Sequence, residues 1–198
     1  MIRSLFVGAV VFLLSCPATA HAEWQLKPSV GWAFRGSTTF VDSELAAGKV
    51  HAMIGINATL IGEFLGIEAD VGRASRFFQQ SSGSRKVTRS NVTTLTGNVT
   101  VALPRRLSEY TLRPYFVGGG GLMHVRADNF VATLSVADDV PAVDLGGGVT
   151  GFLTNRIGVN WDLRHFRTVG GKPDTGSIDV ARGQLSFWRA NMALAIRY

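Results

Sequence analysis

Charged residues of both signs recur two positions apart in this sequence, and their spacing suggests ion-pair chemistry. Glu68 and Asp70 form one such pair, and Asp162 and Arg164 form another. Residues i and i+2 of a β-strand point to the same face of a sheet, so each pair would face one side. An unpaired buried charge is strongly destabilising, so acids and bases that share an enclosed interior should pair. We therefore expect one interior charge network, formed by Lys49, Glu68, Asp70, Arg126, Asp162, Arg164 and Arg197.

A second candidate for chemistry is the stretch from Arg164 to Thr168, which superficially resembles the His-x-Ser region of lipid A deacylases. A histidine base must reach a hydroxyl nucleophile through a hydrogen bond. Arg167 occupies the position of that serine, and no clear acid partner accompanies His165. We expect no enzymatic activity and interpret His165 as an interfacial residue. A lipid-modifying enzyme remains the alternative.

Two glycine runs, residues 118–121 and 146–148, invite comparison with phosphate-binding loops. Neither is followed by the Lys-Ser/Thr pair of a P-loop, and both lie within predicted strands. Glycines on neighbouring strands instead permit bending and close packing in a narrow barrel. The only cysteine is Cys16, so the rest of the chain has no disulfide or cysteine-based metal site. We expect no cofactor and no metal.

The segment from residue 76 to residue 90 is basic and rich in Ser and Gln. Its cations are Arg76, Arg85, Lys86 and Arg89. Such a loop could bind the phosphates of lipopolysaccharide through Coulomb attraction, although a charge run is more often only a solvated surface. Lipopolysaccharide contact is therefore a hypothesis for these four residues.

The elements that would position these residues are strands, because apolar and polar residues alternate with period two along most of the chain. The last segment is the clearest case: Trp188, Ala190, Met192, Leu194, Ile196 and Tyr198 share one face. Comparable segments are residues 24–34, 49–60, 65–72, 94–103, 115–126, 143–153 and 157–164. In the fifth segment, we assign Tyr115, Val117, Met123 and Val125 to the apolar outer face and Phe116, Leu122, His124 and Arg126 to the polar face. The pattern predicts eight antiparallel strands, an even number as in bacterial single-chain barrels.

The connections between these segments alternate in length. Those near residues 35–47, 76–90, 127–142 and 168–183 are long and rich in Gly, Ser, Asp and Arg. Those at 61–64 and 154–156 are short, and the one at 104–113 is intermediate. Short turns at one end and long loops at the other are typical of outer-membrane barrels, whose long loops are extracellular.

A soluble barrel such as a lipocalin is the main competing fold. Its charged residues would face outward around an apolar cavity. Here nearly every strand carries a row of apolar residues with aromatic residues near its ends, which favours contact with lipid. The charges would then face an interior that eight strands leave just wide enough for side chains. That width favours a plugged lumen over a gate whose ion pairs exchange partners, and over a narrow pore.

Residues 1–22 have the layout of a secretory signal peptide. Arg3 precedes an apolar stretch from Leu5 to Leu14, and Ala20 and Ala22 form a small-x-small cleavage site. The mature barrel domain would then be residues 23–198. The alternative is a lipoprotein signal in which Cys16 is acylated. Removal of Arg3 lowers the formal charge from +6 to +5, and an exported basic chain is expected to meet anionic lipid rather than nucleic acid.

Three runs carry a resemblance to a known family: RPYFVGGGGLMHV, GGGVTGFLTNRIGVNWDLRHFR and FWRANMALAIRY. Together they resemble the bacterial outer-membrane β-barrel domain family, the OmpA/OmpX-like small barrels. The resemblance implies an all-β, eight-stranded antiparallel transmembrane barrel in the outer membrane. It also implies that the barrel-assembly machinery reads the last strand, a role that falls on Trp188, Met192, Leu194, Ile196 and Tyr198.

These observations predict a small outer-membrane barrel with a structural or surface-interaction role and a plugged lumen. We expect it to be a monomer. Its expected partners are outer-membrane lipid, lipopolysaccharide and the barrel-assembly machinery. A lipid-modifying enzyme and a narrow pore are the alternatives.

Overall fold

The protein is a closed, eight-stranded antiparallel barrel. A computed structural model describes residues 22–38, 50–75, 87–104, 112–129, 135–169 and 185–198. The strands are β1 (Glu23–Thr38), β2 (His51–Ile61), β3 (Leu65–Ser75), β4 (Val87–Ala102), β5 (Leu112–Asn129), β6 (Ser135–Phe152), β7 (Ile157–Thr168) and β8 (Leu185–Arg197). Each strand pairs with the next, and β8 pairs with β1. The predicted fold class is confirmed. No helix long and apolar enough to cross a membrane occurs in the described part of the chain.

The two ends of the barrel differ. At one end, which we call the turn end, residues 62–64 join β2 to β3 and residues 153–156 join β6 to β7. Backbone hydrogen bonds close both turns, from Gly62 N to Leu65 O at 2.8 Å and from Leu153 N to Ile157 O at 2.9 Å. The loop end is the opposite one, where β1, β3, β5 and β7 finish. The barrel closes where Tyr198 N donates to Trp24 O at 3.0 Å.

The strands extend further toward the loop end than the sequence predicted. Residues 127–142 were expected to be a long loop, yet β5 and β6 pair as far as Asp128 and Ser135. We expected a loop because Asp128, Asp138 and Asp139 are residues typical of loops, and this expectation was wrong. Their backbones nevertheless continue the ladder, and a strand that projects beyond an apolar surface tolerates polar side chains on either face.

The outward face of the barrel forms a continuous apolar belt. From Trp24 to Phe34 on β1, no outward side chain is charged. On β3, the outward row is apolar from Leu65 to Val71 and ends at the exposed Arg73, which pairs with Ile54 of β2. The belt includes one well-exposed residue from each strand in turn: Trp32, Ile54, Ile67, Val99, Phe116, Leu145, Trp161 and Leu194. Aromatic residues lie at its edges, with Trp24, Phe64 and Tyr198 at the turn end and Trp188 toward the loop end. An apolar exterior of this kind is the reverse of a soluble barrel.

The faces of β5 were assigned the wrong way round. Tyr115, Val117, Met123 and Val125 are buried in the lumen, whereas Phe116 and Leu122 are exposed on the belt. Both faces of this strand are apolar along most of its length, so polarity did not distinguish them. His124 was assigned to the lumen because it is polar. It lies instead on the exterior, above the belt, with its Nδ1 2.8 Å from Asp139 Oδ1.

The lumen is filled in layers. Near the loop end, buried apolar side chains pack together, among them Met53, Met123, Phe166 and Phe187. The Phe166 and Phe187 rings are stacked with centroids 5.3 Å apart. A smaller apolar cluster, which includes Ile61 and Val117, lies near the turn end. Charged residues occupy the layer between them.

Candidate functional site

The guanidinium of Arg164 is the centre of the charged layer. On β7, its Nε donates to both carboxylate oxygens of Asp162, at 2.8 and 2.9 Å. Its Nη1 donates to Glu68 Oε1 on β3 at 2.5 Å and lies 3.6 Å from Asp144 Oδ2 on β6. All four side chains are buried. One cation thus connects three carboxylates from three strands across the lumen.

A second ion pair lies next to this centre, toward the loop end. Arg189 on β8 donates through Nη1 and Nη2 to the two oxygens of Asp70 on β3, at 2.8 and 2.9 Å. This bidentate geometry is the strong form of an arginine–carboxylate pair. The same guanidinium lies 4.6 Å from the centroid of the Phe166 ring, where the charged layer meets the apolar cluster.

Neutral hydrogen bonds extend the network toward the turn end. Tyr115 donates its hydroxyl to Asp162 Oδ2 at 2.8 Å. Asn160 Nδ2 donates to Tyr115 Oη at 3.0 Å and to Thr150 Oγ1 at 2.8 Å. The buried Lys27 places its Nζ 5.3 Å from the centroid of the Tyr115 ring. β1, β5, β6 and β7 are therefore linked through side chains as well as through the sheet.

Arg113 holds the turn end together. Its Nη2 donates to Gly62 O and Glu63 O, both at 2.7 Å, and its Nε donates to Leu103 O at 3.0 Å. A single buried side chain thereby binds the turn between β2 and β3 to the segment that follows β4.

The glycine runs make room for these large side chains. A methyl group at Gly146 would lie 2.8 Å from Arg164 Cγ, and one at Gly148 would lie 2.7 Å from Tyr115 Oη. On β3, a methyl group at Gly72 would lie 2.7 Å from Arg189 Nη1. The glycines serve close packing in a narrow barrel.

Some polar atoms in the layer accept or donate no hydrogen bond within the described residues. They are both carboxylate oxygens of Asp144, Asn98 Oδ1, Thr100 Oγ1 and Arg189 Nε. For Asp144, the attraction of Arg164 at 3.6 Å is the main compensation. It is the least constrained carboxylate of the network.

The structure brings Glu68, Asp70, Asp162 and Arg164 together, as the sequence predicted. It places Arg197 elsewhere, at the turn end, where Nη1 lies 3.2 Å from Glu23 Oε2 and Nε donates to Asn155 O at 2.8 Å. Residue Lys49 and the side chain of Arg126 lie outside the described part of the chain.

Sequence reasoning left several members out of the network: Lys27, Arg113, Asp144 and Arg189. Lys27 and Arg189 lie on the polar faces of the first and last strands, and that signal was available. Asp144 precedes a glycine run that obscured the alternation. Arg113 had no signal, because its acceptors are backbone carbonyls.

The arrangement suits charge compensation rather than bond chemistry. Among the described residues, the lumen and its turn end hold five carboxylates and five Lys or Arg cations, namely Glu23, Glu68, Asp70, Asp144 and Asp162 with Lys27, Arg113, Arg164, Arg189 and Arg197. The described residues contain no group of acidic, histidine or cysteine side chains arranged to hold a metal ion.

No family model and no curated protein matches the chain. Solved structures do match it. Neisserial surface protein A aligns with a TM-score of 0.64 at 11% identity, over 88% of this chain and 97% of that one. OprG from Pseudomonas aeruginosa gives 0.56 at 10% identity, over 89% and 96% of the two chains. A major outer membrane protein from Thermus thermophilus gives 0.55 at 15% identity, over 90% and 100%.

The chain has the fold of the small outer-membrane β-barrels. The resemblance seen in the three sequence runs is thereby confirmed at the level of the fold. In such a barrel, the last strand presents Met192, Leu194 and Tyr198 on the exterior, where each is well exposed. Trp188 and Ile196 lie on the same face and are half-buried.

The remaining predicted residues are located as follows. His165 lies on the exterior of β7, with its ring 5.0 Å from that of Trp188. Of the four residues suggested for lipopolysaccharide contact, Arg76, Arg85 and Lys86 lie outside the described residues. The same holds for the side chain of Arg89.

Proposed function

We propose that the chain is an integral protein of the bacterial outer membrane, whose sealed barrel is a scaffold for surface loops. Its role would be structural or in surface interaction. The observation that carries this proposal is the division of side chains between the two faces of the sheet. The exterior belt is apolar up to Arg73 on β3, whereas inside the barrel Arg164 and Arg189 form ion pairs with Glu68, Asp162 and Asp70.

The height of the belt supports a membrane location. From Trp24 to Phe34, at about 3.3 Å per residue and a tilt of about 40°, the belt is about 25 Å tall. That is the height of the apolar band of outer-membrane barrels. Aromatic residues such as Trp24, Tyr198 and Trp188 would lie at the two interfaces, where amphipathic rings are enriched.

The filled lumen supports a sealed barrel. Eight strands leave room only for side chains, and the ion pairs of Arg164 and Arg189 cross that space. Above them, Phe166, Phe187 and Met123 form an apolar layer that would exclude water. Ions would have to displace both layers to pass.

The orientation follows from the same proposal. An exported chain with a signal peptide at residues 1–22 would insert with its turn end in the periplasm and its loop end outside. The barrel-assembly machinery would read the last strand from Trp188 to Tyr198. The basic segment with Arg76, Arg85, Lys86 and Arg89 would face lipopolysaccharide, and the barrel would act as a monomer.

A narrow gated pore is the second candidate, and one observation favours it. Asp144 accepts no hydrogen bond within the described residues, and it lies 3.6 Å from Arg164. Movement of the guanidinium from Glu68 toward Asp144 would open part of the lumen. We favour the sealed lumen, because that movement would leave the buried negative charge of Glu68 without its arginine partner. We propose no enzymatic activity, because His165 contacts Trp188 and Arg167 stands where a nucleophile would be.

Heat modifiability in membrane fractions tests the proposal. Outer-membrane fractions should contain the protein, and it should migrate differently on a gel before and after boiling, because a folded barrel resists detergent. A protein found in the soluble periplasm with no mobility shift would contradict the proposal and favour a lipocalin-like barrel.

A further inference from the structure

Arg35 has an unusual backbone conformation at the loop-end edge of the apolar belt. Its φ is 51°, in the left-handed region that non-glycine residues rarely adopt. It lies in a β-bulge, because β1 advances from Phe34 to Ser37 while β8 advances only from Trp188 to Ser186. Bulges redirect side chains and are common near functional sites. Arg35 is exposed and directly follows Phe34 at the loop-end edge of the belt.

A second exposed guanidinium lies close to it. Arg167 on β7 pairs with Ser186 on β8, and Ser186 pairs on its other side with Ser37 of β1. Neighbouring strands are about 4.8 Å apart, so the backbones of β7 and β1 are about 10 Å apart here. Two arginine side chains can converge across that distance. Within the described residues, neither Arg35 nor Arg167 has an ion-pair partner.

Further along the same strands toward the turn end, the exterior contains an apolar groove. Its volume is about 440 Å³, and Pro28, Val30, Val159, Met192 and Leu194 form its outer walls. The groove therefore crosses β7, β8 and β1 and reaches Gly55 on β2. It lies at the middle of the belt, about 20 Å along the strand from Ser186 to Met192.

We propose that the outer face of β7, β8 and β1 binds one phosphorylated lipid of the leaflet at the loop end. Arg35 and Arg167 would hold its phosphate, with the Ser186 hydroxyl as a further donor, and an acyl chain would lie in the groove. Guanidinium groups bind phosphate through paired, charge-assisted hydrogen bonds. Two cations without partners above an apolar groove match a molecule with an anionic head and an apolar chain. This inference rests on the proposed membrane location.

The test uses the folded mature protein in neutral detergent, with lipid A as the probe and native mass spectrometry as the readout. The charge variant is R35Q/R167Q, and its control is R73Q, because Arg73 is exposed on β3 outside this sector. We expect the charge variant to bind lipid A roughly a hundredfold more weakly, at about tenfold for each guanidinium. R73Q should bind within about twofold of the wild type.

Three further binding measurements test whether the bound molecule is a phosphorylated lipid. Dephosphorylated lipid A should bind wild type and R35Q/R167Q equally weakly, and inorganic phosphate should not compete at equal concentration. V159W, which fills the groove, should weaken binding, whereas V99W on the far wall should not. Equal affinity of wild type and R35Q/R167Q for lipid A would overturn the proposal, as would competition by inorganic phosphate. A second copy of the chain cross-linked across Val159 would overturn it too.

Heat modifiability of every variant separates this inference from the proposed function. A wild type that is not heat-modifiable would contradict the membrane barrel itself. Variants that remain heat-modifiable and membrane-embedded, yet bind lipid A as the wild type does, would contradict only the lipid site.

Discussion

Arg189 on β8 and Asp70 on β3 form a bidentate ion pair across the lumen, at 2.8 and 2.9 Å, although β1 and β2 separate their strands in the sheet. The pair connects walls of the barrel that share no backbone hydrogen bond. The neighbouring Arg164 does the same for Glu68 on β3. Charges in the lumen therefore brace the barrel across its width, in addition to the ladder that closes it.

Loss of the Asp70 charge should destabilise the barrel strongly. In D70N, Arg189 stays buried without a carboxylate, and breaking a buried pair in this way costs about 3–5 kcal/mol. Urea unfolding of the protein in lipid vesicles measures the change in the free energy of unfolding. D139N is the matched control, because Asp139 pairs with His124 outside the barrel and should change that free energy by at most about 1 kcal/mol. Equal effects of D70N and D139N would contradict the bracing role.

Gly148 should not tolerate a methyl group. In G148A, the new Cβ would lie 2.2 Å from Trp161 O and 2.7 Å from Tyr115 Oη, so the ring and its hydrogen bonds would have to shift. Overpacking of this kind costs about 1–3 kcal/mol in the free energy of unfolding. Gly97 provides the control, because a Cβ there meets nothing within 4 Å. G97A should be neutral or more stable by about 0.4–1 kcal/mol. A G148A variant as stable as G97A would show that the lumen is looser than described.

Charges on the belt should destabilise the barrel according to their depth. Val99 lies near the middle of the belt on β4, and Leu153 lies at the turn end. V99R should lower the free energy of unfolding in lipid vesicles by about 2–4 kcal/mol, and L153R by about 1 kcal/mol or less. The same two variants should differ little in a detergent micelle that adapts to the new charge. Equal losses for V99R and L153R in vesicles would argue against a transmembrane belt.

The closed barrel could be predicted from the sequence because alternation is nearly complete on most strands. The clearest case is β8, whose outer row from Trp188 to Tyr198 was assigned correctly. On β5, both faces are apolar because the lumen itself is apolar near Met123 and Val117, so the faces were exchanged. Alternation shows only that a strand has two different faces. The face that lines the lumen can be identified from sequence only where that face is polar.

The charge network could be predicted only in part. Glu68, Asp70, Asp162 and Arg164 stood out because they are charged pairs at i and i+2 within clear strands. Their specific partners depend on register and on the width of the lumen. The pairing of Asp70 with Arg189 joins strands that are not neighbours, and no local pattern encodes such a contact. The contacts of Arg113 with turn carbonyls need the folded turns themselves.

Ion conductance in planar lipid bilayers is the most direct test of a sealed membrane barrel. The wild type should show no steady conductance, because the ion pairs and the apolar layer fill its lumen. R164A/R189A/F166A/F187A, which opens both layers, should insert and conduct with preference for cations, because Glu68, Asp70, Asp144 and Asp162 would then line the space. A wild type that conducts as much as this variant would contradict the account, because its lumen would be an open pore.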